Sequence, residues 1–171
     1  MAEIGRSLDF LDVDWQEVPV RQRSMRAVFD YSWRLLNERE REIMCGLSVF
    51  RGGCTREAAQ AVTGATLRDL LGLINKSQLH RTPSGRYEMH ELLRQYAAEQ
   101  LAQIPEKERE VRARHGTYYA GNLVRWEKEL KGSKHVSAFS ELNTEINNAH
   151  VTVNWMVDSE CNSLHYAATR A

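Results

Sequence analysis

The chain has 171 residues, of which 42% are hydrophobic and 27% are charged, a composition typical of globular proteins. Its 23 Lys and Arg residues balance its 23 Asp and Glu residues, so no net field draws it to nucleic acid or to an anionic membrane. We therefore expect one moderate domain or two small ones, with any nucleic-acid contact confined to a local patch.

The cysteines and the hydropathy pattern indicate the compartment. Cys45, Cys54 and Cys161 are odd in number and contain no Cys-x-x-Cys pair, which favours reduced thiols over a disulfide framework or a zinc site. No apolar run reaches the length of a membrane span, and acidic Glu3 follows Met1 where a leader would be basic and then apolar. These features predict a cytoplasmic protein.

Residues 1–23 mix apolar and acidic side chains, which predicts a connecting arm. Four of its residues are too apolar for a free linker and are expected to lie on a neighbouring surface: Leu8, Phe10, Leu11 and Trp15. Ser24 is predicted to cap a first helix. The inward face of that helix is predicted to comprise Met25, Val28, Phe29, Ser32, Trp33 and Leu36.

Three short helices are predicted next, over residues 38–47, 55–63 and 67–76. Asn37 with Glu40 is expected to form the cap of the first, and its inward residues are Ile43, Met44 and Leu47. Thr55 caps the second, which stops at Gly64, and Thr66 with Asp69 caps the third.

The third helix is predicted to face inward with Leu67, Leu70, Leu71 and Ile74. After it, the sequence Thr82-Pro83-Ser84-Gly85 predicts a four-residue turn between two short strands. Three short helices followed by a β-hairpin over residues 78–90 is the element order of a winged helix.

The segment from Arg86 to Tyr96 changes from a strand pattern to a helical one. Tyr87 and Met89 alternate with polar residues, and the residues that then recur at helical spacing are Leu92, Leu93, Tyr96, Ala97 and Leu101. His90 is thus predicted at a strand end and a helix start, where its imidazole can join unpaired backbone N–H groups in holding a phosphate oxygen. The alternative is a histidine hydrogen-bonded to a backbone carbonyl or to Glu88.

Met89-His90-Glu91-Leu92-Leu93-Arg94-Gln95-Tyr96-Ala97 resembles the Met-His-Asp motif of the STAND (NB-ARC-like) signalling ATPases. This family includes plant disease-resistance proteins, apoptotic ATPases and bacterial regulators of the LuxR and AfsR type. The resemblance covers roughly residues 18–101, through the segments 23–36, 47–53 and 70–79. It implies a winged helix whose histidine contacts the β-phosphate of ADP on a separate nucleotide-binding domain. Glu91 stands where the family motif has Asp.

Long helices are predicted after residue 104. Pro105, backed by Glu106 and Glu108, opens the first, and Gly132-Ser133 ends it. Its inward residues are Val111, His115, Tyr118, Tyr119, Asn122, Leu123, Trp126 and Leu130. A second is predicted from Ser137 to Val157, with Phe139, Leu142, Ile146, Ala149, Val153 and Met156 or Val157 on one face. A third begins near Ser159 and carries Leu164, Ala167 and Ala168.

The predicted fold class is therefore mainly α, with three parts: a connecting arm (1–23), a winged-helix domain (24–103) and a helical segment of antiparallel hairpins (104–171). The family resemblance implies a tetratricopeptide-like array for the last part, although the repeat consensus itself is not found in the sequence.

Other chemistry is not predicted. Gly52-Gly53 lacks the Lys-Ser/Thr of a phosphate loop, and the histidines at 115, 135, 150 and 165 lack metal-ligand spacing. The aromatic residues Tyr118, Tyr119 and Trp126 recur at the spacing of a helix core. With no nucleophile or zinc-protease motif, we expect no enzyme activity, metal or cofactor in this chain, and ADP or ATP only in the full-length protein.

Two functions stay open. In the first, the chain is the regulatory and scaffold region of a nucleotide-switched signalling protein or transcriptional regulator. His90, beside Met89 and Glu91, then contacts ADP on the protein's own upstream domain, and the helical segment binds a protein partner. In the second, the chain is a free-standing winged-helix transcription factor. Its DNA contacts would be Arg68, Lys76, Arg81 and Arg86.

Helix 67–76 is mostly leucine, glycine and isoleucine, a composition that suits DNA recognition poorly. The first function is therefore preferred, and direct contact with nucleic acid or membrane is not expected.

Overall fold

The computed structural model describes residues 20–168, with side chains from residue 26 to residue 157. The predicted arm up to residue 19, and the side chains of Leu164, Ala167 and Ala168, lie outside that description. The elements in chain order are α1 (Val20–Arg34), α2 (Glu38–Leu47), α3 (Arg56–Thr63), α4 (Leu67–Asn75), β1 (His80–Arg81), β2 (Tyr87–Glu88), α5 (Glu91–Ala102), α6 (Pro105–Leu130) and α7 (His135–Ala168). The chain is mainly helical, as predicted.

The described residues divide into two compact units, with the division between Glu38 and Arg39. In the first unit, α1 begins at Val20, so Ser24 lies inside the helix and does not cap it. Arg and Gln at positions 21–23 favour helix and extend it past the predicted start. Val28, predicted to face inward, is 58% exposed.

The caps predicted for α3 and α4 are present because their residue types match the geometry. Thr55 Oγ1 accepts a hydrogen bond from the N–H of Ala58 at 3.1 Å, and Gly64, at φ +70°, ends α3 in the left-handed conformation. Thr66 and Asp69 form the predicted capping box at the start of α4. The helix α2 spans Glu38–Leu47, the predicted range, and Glu40 Oε2 accepts a hydrogen bond from Lys76 Nζ at 2.7 Å.

The core of this region is apolar. Ile43 and Met44 of α2, together with Leu70 and Leu73 of α4, are completely buried. The inward face of α4 is therefore rotated from the predicted one: Leu67 and Leu71 are 42% and 46% exposed. Helical spacing predicts four apolar residues on the inward face. The face that the structure buries is instead centred on residues 70 and 73.

The two strands form one short antiparallel hairpin in which His80 pairs with Glu88 and Arg81 pairs with Tyr87. The predicted Thr82–Gly85 turn closes it, with Gly85 at φ +86° and its N–H donating to the Thr82 carbonyl at 2.9 Å. Cys54 adds a bridge to Tyr87 on the other side, through N–H···O bonds of 2.9 and 2.8 Å. The strand predicted to reach Met89 ends at Glu88.

The helices α6 and α7 form an antiparallel hairpin. Residues further along α7 bind residues nearer the start of α6. Arg125 binds Glu141 and Tyr119 binds Glu145, and α6 also packs against α3 and α5. Pro105 occupies the first turn of α6, as predicted. The prediction of a separate third helix is wrong: α7 continues to Ala168, because no Gly or Pro interrupts residues 155–160.

The helix α7 turns its polar side inward and much of its apolar side outward, contrary to the prediction. Its buried residues are Ala138, Glu145, Asn148, Ala149 and Thr152. Its predicted inward residues Phe139, Ile146, Val153 and Val157 are exposed, whereas Ala149 is buried as predicted. On α6, Val111, His115, Tyr119 and Trp126 are buried as predicted, and Leu130 is exposed.

Candidate functional site

His90 lies at the N-terminus of α5, as the sequence predicts. Its exposed imidazole caps the helix, because Nδ1 accepts a hydrogen bond from the N–H of Leu92 at 3.3 Å. A neutral imidazole that accepts through Nδ1 carries its proton on Nε2, which is then a donor. The start of α5 thus combines helix N–H groups and an imidazole N–H, a combination that suits an anionic oxygen.

Glu88 is not the partner of His90 in this hydrogen bond. It lies 3.1 Å from His80 Nε2, across the hairpin. The two histidines at this end of the molecule therefore have different roles: His80 faces a carboxylate, and His90 caps α5.

Glu91 follows His90, and its carboxylate is bound within α5. Nε and Nη2 of Arg94 each donate to it at 2.8 Å, and Gln95 donates at 2.9 Å. The hydrogen bonds from Arg94 are the main reason why the pKa of Glu91 falls to about 2. Arg94 also donates to the carbonyl of Ser48 at 2.9 Å. Glu91 therefore orients the arginine that links α5 to the end of α2.

Met89, the other neighbour of His90, is half-buried. It lines a cavity of about 190 Å³ together with Phe50, Leu79 and Tyr87. The three motif residues thus separate by role: Met89 lines the cavity, His90 stays exposed, and Glu91 binds Arg94.

The four basic residues considered for DNA contact occupy different environments. Arg68 and Arg81 are exposed. Lys76 binds Glu40, with 2.7 Å between Nζ and Oε2. The side chain of Arg86 is only 10% exposed and forms an ion pair with Glu145, so its guanidinium is not at the surface where a DNA phosphate could reach it. The structure therefore does not assemble the four into one basic surface.

The turn at Gly52-Gly53 binds a side chain through its carbonyl groups. Arg86 Nη2 donates to the carbonyls of Gly52 and Gly53 at 3.1 and 3.0 Å. Both glycines have positive φ, and a Cβ on Gly53 would lie 2.7 Å from the Tyr87 carbonyl oxygen, which explains why glycine is required there. A phosphate loop points N–H groups at its ligand, whereas these carbonyls receive a cation.

Arg86 belongs to a buried polar cluster, which we call the Arg86 network: Arg86, Glu145, Tyr119 and Asn148. Tyr119 Oη donates to Glu145 at 2.9 Å, and Asn148 Nδ2 donates to Glu145 at 2.8 Å and to the Gly53 carbonyl at 3.0 Å. Asn148 Oδ1 accepts from the N–H of Arg51 at 2.7 Å. The network fixes the α6–α7 hairpin against the β-hairpin and the Gly52-Gly53 turn.

Sequence reasoning missed this network because its hydrogen bonds join residues far apart along the chain: Arg86 and Glu145 are 59 residues apart, and Asn148 and its partner Arg51 are 97 apart. One signal was present. Glu145, Asn148 and Thr152 recur at helical spacing on α7 and form a polar stripe opposite an apolar one. An apolar stripe is normally the buried one, so periodicity selected the wrong side.

His115 extends the buried polar region along α6. It is 2% exposed, its Nδ1 lies 3.3 Å from Thr152 Oγ1, and its ring packs edge-on against Phe50 at 5.0 Å. Burial lowers the pKa of His115 to about 4, so the imidazole is neutral at physiological pH. It acts as a core residue.

The described residues offer little nucleophilic or metal-binding chemistry. Burial raises the pKa of Cys45 to about 11 and that of Cys54 to about 12, so both thiols are protonated and poorly nucleophilic. Within residues 20–168, no group of three or more His, Cys, Asp or Glu side chains is arranged to hold a metal ion. No helix in that range is both long and apolar enough to cross a membrane.

The chain is similar in sequence to proteins that are named as transcriptional regulators. Three proteins with names of the form "Putative HTH-type transcriptional regulator", one from Mycobacterium bovis and two from strains of Mycobacterium tuberculosis, are each 31% identical to it over 148 residues. The match covers 79% of this chain and 16% of each relative, so the chain corresponds to a small part of these curated relatives. No family model matches it. No solved structure matches it either.

Proposed function

We propose that this chain is the regulatory region of a large transcriptional regulator, where it senses a nucleotide bound to a separate domain and acts through protein contacts. The observation that carries this proposal is the position of His90, exposed at the N-terminus of α5 with Nδ1 occupied by the Leu92 N–H. Nε2 is then available as a donor to a phosphate oxygen. The element order of α2–α4 and the β-hairpin supports the winged-helix interpretation.

The relatives' names support the transcriptional part of this proposal. They are named as HTH-type regulators, and this chain matches only 16% of their length. The nucleotide-switch part rests on the resemblance around Met89-His90-Glu91, and the tetratricopeptide-like interpretation rests on the antiparallel α6–α7 hairpin. The predicted partners are therefore an upstream nucleotide-binding domain, which would hold ADP or ATP, and a protein bound by the helical segment.

A second candidate function, direct DNA binding, is favoured by the HTH-type names themselves. Its support within this chain is limited to the exposed Arg68 and Arg81, because Arg86 and Lys76 bind carboxylates. The exposed face of α4 carries Leu67 and Leu71, and leucine offers no hydrogen bond to a base edge. We therefore expect weak duplex binding without sequence preference. A gel-shift titration at physiological salt that gives a nanomolar, sequence-selective complex would promote this second candidate.

The test of the main proposal compares three substitutions in the full-length protein. His90→Ala removes both the cap and the imidazole, whereas His90→Asn keeps a good N-cap and removes only the imidazole. His80→Ala is the matched control, since His80 is an exposed histidine on the adjoining hairpin. ADP retention is the measurement.

Both His90 variants are expected to weaken the ADP-bound state by roughly 1.5–3 kcal/mol, about ten- to a hundredfold in its population. His80→Ala should leave ADP retention unchanged. If His90→Asn retains ADP as the parent does while His90→Ala lowers the melting temperature of the 171-residue chain, the histidine is only a helix cap. The chain alone is expected to bind neither ADP nor ATP tightly, and micromolar binding by calorimetry would contradict that.

A further inference from the structure

An open groove lies between α4, the start of α3 and the tip of the β-hairpin, and we call it the α4–hairpin groove. Its volume is about 620 Å³. Leu67 and Leu71 line it from α4, and Arg56 and Arg81 line it from α3 and β1. All four residues belong to the same compact unit, and none of them contributes to the His90 site.

The wall formed by α4 is apolar and exposed. Leu67 and Leu71 lie one helical turn apart and are 42% and 46% exposed, although the capping box holds the start of α4 in place. Two leucines at this spacing, beside a groove, match the apolar stripe of a second helix, the mode by which amphipathic helices dock. The buried Tyr87 forms part of the lining below them.

The rim of the groove is basic. Arg56 and Arg81 are exposed at its edges, and Arg68 is exposed on α4 next to Leu67. Of the nearby carboxylates, Asp69 accepts hydrogen bonds from the N–H and Oγ1 of Thr66 at 2.9 and 2.8 Å. It also lies 3.8 Å from Arg39. Among the lining residues, Glu57 is the carboxylate that faces the two exposed arginines Arg56 and Arg81, so the rim keeps a positive charge that complements a negatively charged partner.

The combination of an apolar wall and a basic rim distinguishes a helix from duplex DNA. A DNA-reading helix places hydrogen-bonding side chains where α4 places Leu67 and Leu71. Burying two exposed leucines against DNA would gain little, because its groove edges are polar. Against an apolar helix face, each leucine gains the full transfer free energy of its remaining exposed surface.

We propose that the α4–hairpin groove binds an acidic amphipathic helix of a protein partner. Its apolar stripe covers Leu67 and Leu71, and its flanking carboxylates face Arg56 and Arg81. This inference deepens the proposed function, because it names a protein contact through which the regulatory region acts. It does not depend on nucleotide sensing by His90.

The test is a selection with the 171-residue chain as bait and a displayed library of helical peptides as probe. The peptides keep leucine at helical spacing and have random residues on the flanks. The expected outcome is enrichment of glutamate and aspartate at the flanks. The enriched peptide is then synthesised, and its affinity is measured by fluorescence anisotropy at two salt concentrations.

Four variants locate the contact. Leu71→Ser should lower the affinity for the selected peptide by roughly tenfold or more, the effect of removing a central apolar contact. The double variant Arg56→Glu with Arg81→Glu should lower it similarly and make a lysine-flanked version of the peptide bind better. Val124→Ser and Lys134→Glu, at other exposed positions, are the matched controls and should have no effect.

The proposal is overturned if the library yields no binder, if basic flanks are enriched, or if Leu71→Ser leaves the affinity of the selected peptide unchanged. It is also overturned if a DNA duplex of about 20 base pairs competes with the peptide at nanomolar concentration, which is the affinity range of specific DNA binding. The groove would then be a DNA-binding site. None of these results requires the nucleotide-binding domain, so they are separate from the ADP-retention test of His90.

Discussion

Two buried regions of the second compact unit are held together by different types of interaction. The core of α2 and α4 is apolar, with Ile43, Met44 and Leu70 fully buried. The junction between the β-hairpin and α6–α7 is polar, with Arg86 and Glu145 paired in the interior. Apolar contacts are not directional, whereas each hydrogen bond of the Arg86 network requires a specific geometry.

This difference suggests what each region contributes. The apolar core supplies stability in proportion to the area that it buries. A buried ion pair adds little net stability, because the desolvation of both charges offsets their attraction. The Arg86 network instead restricts the α6–α7 hairpin to one position, since sliding α7 by one turn would separate Glu145 and Asn148 from all of their partners. Removing one member should therefore cost more than the whole network contributes.

Arg86→Met is expected to produce the largest loss of stability. It leaves the Glu145 carboxylate buried without its cation, which costs about 3–5 kcal/mol. Urea unfolding followed by circular dichroism measures it. The double variant Arg86→Met with Glu145→Gln should recover much of the loss, because no uncompensated charge stays buried. A double variant no more stable than Arg86→Met would show that the loss comes from packing and not from charge.

Leu70→Ala should destabilise the apolar core by about 3 kcal/mol, within the range for a fully buried leucine. The matched control is Leu71→Ala, one residue further along α4, which is 46% exposed and should cost less than about 1 kcal/mol. Thermal melting of both variants is the measurement. Equal losses at the two positions would mean that the inward face of α4 is the one that periodicity predicts.

The sequence predicts local features well because their causes are local. The capping box at Thr66, the turn at Thr82–Gly85 and Pro105 at the start of α6 each depend on residues within four positions of one another. The position of His90 at the start of α5 is likewise set by neighbouring residues. The functional role of His90 rests on the family resemblance and stays a prediction.

The face of α7 could not be predicted because its cause is distant in sequence. Glu145 is stabilised in the interior by its ion pair with Arg86. Asn148 is stabilised there by hydrogen bonds with the backbone of Gly53 and Arg51. Without these partners, hydrophobicity favours burying Phe139 and Ile146. The α4–hairpin groove was likewise not predictable, since its lining comes from α3, α4 and the β-hairpin, which are separate along the chain.

The pH dependence of stability should distinguish the polar interior from the apolar one. The pKa of His115 is about 4 in the folded state and 6.5 ordinarily, so the unfolded chain takes up a proton below pH 6.5 before the folded chain does. Stability should therefore fall from pH 6.5 to pH 4 by on the order of 2 kcal/mol and then level off.

The control for this prediction is His115→Gln, which cannot titrate. Urea unfolding at several pH values is the measurement for both proteins. The difference in unfolding free energy between parent and variant should shrink as the pH falls from 6.5 to 4. A difference that stays constant over that range would mean that His115 is accessible to protons in the folded state. Glu91, with a pKa of about 2, contributes stability above its ordinary pKa and loses it only as the pH falls further toward 2.

The smallest effect is expected from a second arginine–glutamate pair that joins the same two helices. Arg125 Nη2 and Glu141 Oε1 are 2.5 Å apart, and their side chains are 40% and 47% exposed, whereas those of Arg86 and Glu145 are 10% and 6% exposed. Water screens the exposed pair and solvates either charge when the other is removed. Arg125→Met should therefore cost less than about 1 kcal/mol, measured by the same urea unfolding as Arg86→Met, and its effect should decrease in high salt. Comparable losses from Arg125→Met and Arg86→Met would mean that burial does not determine the contribution of these pairs, and that the Arg86 network is not a special constraint on the position of α7.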